Sequence, residues 1–171
     1  EVPNGGKTMV PMQIKQIGPF DWTRILRDSR SEGLDLVNRL LRDFQSGANR
    51  FDAPGEALFA CLSGYGVAAV AGLNREPDES FERAGRIRRL YVVPEFRGQG
   101  LGRNLVTVIT TLARSNFNVL TVNVGKLDAS GFYEHLGFTQ IDHPSVTHIK
   151  ELVLNKGVHS SPRKASNLQC C

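Results

Sequence analysis

Residues 97–102 read Arg97-Gly98-Gln99-Gly100-Leu101-Gly102, three alternating glycines next to a basic residue. Glycine lets main-chain N–H groups approach an anion closely, and a helix starting near Gly100 aims its positive dipole end at the same point. The chemistry this suits is the holding of a phosphate or pyrophosphate. A tight strand-to-helix turn without a ligand gives the same pattern. Two nucleotide signatures fail here. A P-loop needs Lys-Ser/Thr after its last glycine, where this chain has Arg103-Asn104. A dinucleotide fingerprint counted from Gly98 needs glycine where Arg103 stands. Arg83, Arg86, Arg88, Arg89, Arg97 and Arg103 cluster around the loop, with Glu82 and Glu95 the nearby acids. A solvated basic face and a polyphosphate ligand both account for that cluster.

The elements that must position this loop can be read from periodicity. Met9–Ile17 alternates as a strand, closed by Gly18-Pro19. Asp21 caps a helix from Trp22 to about Arg30, and Ser31 caps a second. In that second helix Leu34, Val37, Leu40, Leu41 and Phe44 recur at helical spacing, Arg39 and Arg42 face out, and Gly47 closes it. Apolar runs 57–62 and 67–73 flank Ser63-Gly64-Tyr65-Gly66, a hairpin signature. Arg86–Val93 is a third strand, stopped by Pro94. Beyond the glycine loop, Leu101, Leu105, Val108, Ile109 and Leu112 form one face of a helix. A strand over 119–124, a short helix capped by Asp128 and stopped at Gly137, and closing strands 138–141 and 146–154 complete the chain. The order is β-α-α-β-β-β-α-β-α-β-β, an α/β sandwich on a mixed sheet.

The 171 residues amount to one domain, expected over 9–154 with flexible stretches at 1–8 and 155–171. The net charge is +4, but Lys156, Arg163 and Lys164 sit in an acid-free tail, so the folded part is near neutral and nucleic acid is not an expected partner. No apolar stretch is long enough for a membrane span, and no membrane partner is expected. Three cysteines without a CxxC pair argue against a disulfide framework or a metal site and for a reducing, cytoplasmic compartment. Cys61, in an apolar run, is expected to be a buried free thiol.

Arg97-x-x-Gly100-x-Gly102 resembles the Gln/Arg-x-x-Gly-x-Gly/Ala signature of the GNAT N-acetyltransferase superfamily. Its context is similar too: a strand ending Leu90-Tyr91-Val92-Val93-Pro94, the loop, then a helix. Ala129-x-x-Phe132-Tyr133-Glu134-x-x-Gly137-Phe138 is similar to the family's second recurrent segment. The resemblance runs over about Val10–Leu154. It implies a mixed, mostly antiparallel central sheet with helices on both faces, and acetyl-coenzyme A as co-substrate. By the resemblance, the main-chain N–H groups of Arg97, Gly98, Gln99, Gly100, Leu101, Gly102 and Arg103 bind the pyrophosphate. The main chain of Tyr91, Val92 and Val93 pairs with the pantetheine arm, and the Val92 N–H points at the thioester carbonyl, where such a donor stabilises a developing oxyanion. Tyr133 takes the position of a tyrosine that often protonates the departing thiolate; as a residue alone it reads as a core aromatic first, because buried tyrosine usually packs. The family often has asparagine seven residues before this tyrosine, where this chain has Lys126, with Asn123 three residues earlier.

The implied function is transfer of an acetyl group to a primary amine. Acceptors of two kinds, a small amine or a protein amine, stand beside a non-catalytic acyl-CoA-binding module. Glu76, Asp78, Glu79 and Glu82 form an acidic loop that would suit a basic peptide. Glu95, Asp52, Glu56, Asp142, His143 and His148 are candidate bases with nothing in the sequence to rank them. A homodimer is left open as the assembly.

Overall fold

The computed structural model describes residues 9–125 and 129–153. The elements are β1 (Met12–Gln13), α1 (Thr23–Ser31), α2 (Leu36–Ser46), β2 (Ala57–Ser63), β3 (Gly66–Arg75), β4 (Ala84–Val92), α3 (Leu101–Ala113), β5 (Val119–Val122), α4 (Ser130–His135), β6 (Thr139–Gln140) and β7 (His148–Glu151). A single 3-10 turn, Pro94–Phe96, joins β4 to the glycine loop. The seven strands lie in the order β1-β2-β3-β4-β5-β7-β6, and only β4 and β5 pair in parallel. Both the element order and the mostly antiparallel sheet match the sequence reading.

The sheet is buried on both faces. α1 and α2 cover one face through Ile25, Val37, Leu40, Leu41 and Phe44. α3 covers the other through Leu101, Leu105, Val106, Ile109 and Ala113. β2 and β3 therefore read as continuous apolar runs, not alternating ones, and their alanines let the helices lie close. The start of α1 is shifted by one residue: Trp22 is its N-cap and Asp21 precedes it, although the Asp21 carboxylate still accepts the Thr23 N–H at 2.9 Å. The start of the second helix is corrected. Ser31 is the last residue of α1, its hydroxyl donating to Asp28 O, and α2 begins only after Asp35. The Gly33 turn, at φ +72°, separates the two. Strand β1 is also shorter than the alternation suggests: Met12 and Gln13 pair with β2, and Ile14 adds one bond from its N–H to Leu58 O at 2.9 Å. The Asp128 cap lies outside the described residues.

Two features open the sheet at its centre. β4 and β5 pair from Ala84/Val119 to Ile87/Val122, and there β5 ends while β4 runs on to Val92. On the β3 side, Val70 pairs with Tyr91 but Gly72 pairs with Arg88, so β4 carries one extra residue. Arg89 takes this bulge at φ +60°, which bends the strand and increases its twist. The outer half of β4 thus leaves β5 and exposes a main-chain edge inside the molecule.

Beneath the bulge, Gly72 is required by close approach. A Cβ there would lie 2.2 Å from Cε1 of Phe51, whose ring rests on β3. Gly72→Ala is expected to lose about 1–3 kcal/mol of stability through overpacking. Denaturant melts should show a smaller loss for the same change in a Phe51→Leu background.

Candidate active site

The glycine loop sits at the base of the opening. Gly98 and Gly100 have φ of +75° and +81°, and the space where a Cβ would project is open at both. Gly100 is the N-cap of α3 and provides no side chain to cap it. The first helical bond runs from Asn104 N–H to Gly100 O, at 2.9 Å. The amides of Gly98, Gln99, Gly100, Leu101, Gly102 and Arg103 therefore find no acceptor among the described residues. Such a row of unpaired donors at a helix N-terminus attracts an anion. It borders a cavity of about 1200 Å³ that is also lined by Tyr91, Val92, Phe132 and Leu136.

The exposed edge of β4 supplies a second donor. Val93 N–H donates to Ala68 O at 2.9 Å, toward β3. Successive residues alternate, so the Val92 N–H faces the other way, into the opening. Val92 O faces there too and accepts from Arg97 Nε at 3.0 Å. The opening continues past Leu90, Ala129 and Phe132 into a second cavity of about 400 Å³. Tyr133 lines this second cavity. Its ring is 5% exposed, set edge-on against Phe132 and Phe138 at 5.1 and 5.4 Å between centroids. Its hydroxyl has no protein partner among the described residues, and burial raises its pKa above the ordinary phenol value.

A family profile described as an acetyltransferase (GNAT) domain matches residues 54–140. A protein from Exiguobacterium sp. 255-15 described as an acetyltransferase is 31% identical, with a TM-score of 0.76 over 83% of this chain and 92% of that one. The chain belongs to the GNAT acetyltransferase family. The same fold is found in an acetyltransferase of Streptococcus agalactiae, 21% identical with a TM-score of 0.66 over 85% of this chain and 99% of the other. It recurs in a ribosomal-protein-alanine N-acetyltransferase of Brucella melitensis, 20% identical with a TM-score of 0.55 over 75% and 91%. No curated protein matches the sequence.

Within this GNAT domain some assigned residues are already committed elsewhere. Arg97 N–H is taken by Pro94 O at 3.1 Å in the 3-10 turn, so it is not free for an anion. Its guanidinium makes two bonds to Glu32, of 2.8 and 2.6 Å, and lies over the Tyr91 ring. Gln99 turns its side-chain amide back to Glu95 O. Val93 is corrected as a pairing residue: its N–H belongs to the β3 ladder and its carbonyl accepts from Phe96 N–H. Tyr91, in phase with Val93, also turns its main chain to β3 and lends only a side-chain wall. Lys126 lies outside the described residues, and Asn123 spends its amide on Ser145 O.

The arginine cluster divides. Arg97 and Arg103 border the larger cavity, while Arg86, Arg88 and Arg89 line the smaller one. The acidic loop also dissolves as a groove. Glu76 is fully buried on Arg86 and Thr121, and Asp78 accepts from Ser145 and Ser80. Those hydroxyls hold the Asp78 carboxyl down at about 2. Of the candidate bases, Glu95 is paired with Arg24, and Asp52 and Glu56 line a separate hollow. Asp142 is exposed, and His143 bonds Ser145 and Ser80. His148 is buried behind the cleft, 6.3 Å from the Tyr133 ring.

Glu32 was not singled out by sequence, since it lies far along the chain from everything it holds. Besides Arg97 it accepts from the Tyr91 hydroxyl at 2.7 Å. Arg97 first, and Tyr91 next, lower the Glu32 pKa below its ordinary value. A depressed carboxyl contributes stability above its ordinary titration range and loses it as acid protonates it. The pair is partly exposed, so Glu32→Gln is expected to cost no more than about 1 kcal/mol near neutral pH. Thermal melts should show that difference vanishing below the carboxyl range and shrinking in high salt.

Proposed function

We propose that this GNAT domain transfers an acetyl group from acetyl-coenzyme A to a primary amine by direct attack. The observation that carries this reading is the opening between β4 and β5, which has an unpaired main-chain donor at Val92 and a row of unpaired loop donors at its base. Its dimensions and donors fit the co-substrate. An extended pantetheine arm can add to the free edge of β4 as a strand would, and the pyrophosphate can take the amides of Gly98 to Arg103. Arg103 is then the side chain left to neutralise phosphate, because Arg97 is bound to Glu32. The co-substrate supplies an activated thioester carbonyl.

In the reaction the amine lone pair forms the N–C bond, the C–S bond breaks with its electron pair left on sulfur, and the proton lost by nitrogen passes through water to the departing thiolate, which leaves as the thiol. Val92 N–H donates to the carbonyl oxygen as negative charge grows there. Tyr133, like any phenol, is protonated at neutral pH, and burial raises its pKa further. An ordinary thiol titrates near ~8.5, below a phenol, so Tyr133 acts mainly as a hydrogen-bond donor that stabilises the departing sulfur. Burial of Glu76 against Arg86 takes one acid out of the loop that would favour a basic peptide, and the smaller cavity favours a small acceptor. Cys61 is a buried free thiol, as expected, and burial pushes its pKa up to about 11. No helix among the described residues is long and apolar enough to cross a membrane.

Thiol release from acetyl-coenzyme A in the presence of an amine tests the reading. Tyr133→Phe keeps the ring and its edge-on contacts, so folding should hold. We expect kcat to fall at least about tenfold with little change in acetyl-coenzyme A affinity, the pattern of an interaction made in the transition state. Unchanged kcat, where chemistry limits the rate, would leave Tyr133 a packing residue.

A further inference from the structure

Four arginines line the 400 Å³ cavity, Arg39, Arg86, Arg88 and Arg89, and no Asp or Glu among the described residues does. Three of the four have partners. Arg86 Nε lies 2.7 Å from Glu76, Arg89 lies 3.3 Å from Asp43, and Arg39 comes within 3.9 Å of Asp35. Arg88 has no ion pair among the described residues, and its Nε is buried without an acceptor. Asp43, Asp52 and Glu56 line the hollow on its other side, but none is within ion-pair distance of it. Asp43 turns to Arg89, and Glu56 accepts the Arg75 N–H.

This surplus donor is placed by the fold. The bulge at Arg89 turns Arg88 and Arg89 toward the same side of the sheet, so the cleft wall gains a cation that regular alternation would have separated from its neighbour. A buried guanidinium N–H without an acceptor, as at Arg88 Nε, is destabilising, and a guanidinium fork matches the two oxygens of a carboxylate or phosphate. Burial first and Arg86 next work against its charge, more than Glu76, Glu56 and Asp43 support it, and an incoming anion would add to that support. Resting on the acetyl-transfer reading, we infer that the acceptor is a small amine that carries an oxyanion. The anion sits on Arg88, and the amine points along β4 toward Val92.

The test uses the full chain saturated with acetyl-coenzyme A and measures thiol release. β-Alanine, γ-aminobutyrate and aminoethylphosphonate are compared with ethylamine and propylamine. The anion-bearing amines should have kcat/KM at least about tenfold higher, and the carboxylate and phosphonate arms identify which oxyanion fits. Arg88→Gln should raise KM for those amines at least about tenfold, leave the KM for acetyl-coenzyme A unchanged, and erase the preference. Arg88→Lys should restore part of it. Equal use of neutral-tailed amines by the wild type, a reading that needs no variant, overturns the inference and leaves acetyl transfer standing. So does an Arg88→Gln enzyme that keeps the preference. No thiol release with any amine overturns both.

Discussion

The separation of β4 from β5 after Ile87 and Val122 is the constraint on which the rest of the site depends. A sheet normally satisfies its main-chain donors strand by strand, and an unpaired edge inside a protein is costly unless something fills it. Here the edge opens at the centre of a seven-stranded sheet, with well-packed cores on both faces holding it open. The extra residue at Arg89 sets both the bend and the phase of the strand. It decides that Val92, and not Val93 or Tyr91, turns its amide to the cleft.

The same opening organises the charges. On the loop side, the helix N-terminus gives six unpaired amides, while Arg97 is withdrawn from service by Glu32. Glu32 thereby fixes the loop to the end of α1, and Tyr91 joins the pair through its hydroxyl. On the other side, three arginines are neutralised by Glu76, Asp43 and Asp35, and one is not. The two ends of the cleft are thus both electropositive, for different reasons: helix amides at one end and, at the other, an arginine with no ion pair among the described residues. Tyr133 lies between them in an apolar pocket of aromatic rings, which keeps its proton in place.

Much of the architecture was legible because it follows from local pattern. The α2 stripe, the hairpin around Gly64, the proline stop and the glycine loop each carry a signal within a few residues. The start of α2 was misread because Ser31 and Asp35 are both acceptable caps, and only the turn at Gly33 decides between them. The site was legible as a loop but not as a set of committed groups. Nothing near Arg97 announces Glu32, and no glycine or asparagine marks the bulge at Arg89. Assigning Val93 to the cofactor edge failed for that reason, since the face an amide presents depends on register against β3. Five of the six clustered arginines belong to two cavities and Arg83 to neither, a division made by the turn between β4 and α3.

Amide hydrogen exchange with and without acetyl-coenzyme A tests the central claim most directly, because it reads the proposed donors themselves. Binding should slow exchange at Val92 and across Gly98 to Arg103, and leave Val93 and Arg97, already bonded internally, nearly unchanged. Saturating acetyl-coenzyme A binding with no protection at Val92 or in the loop would contradict the account.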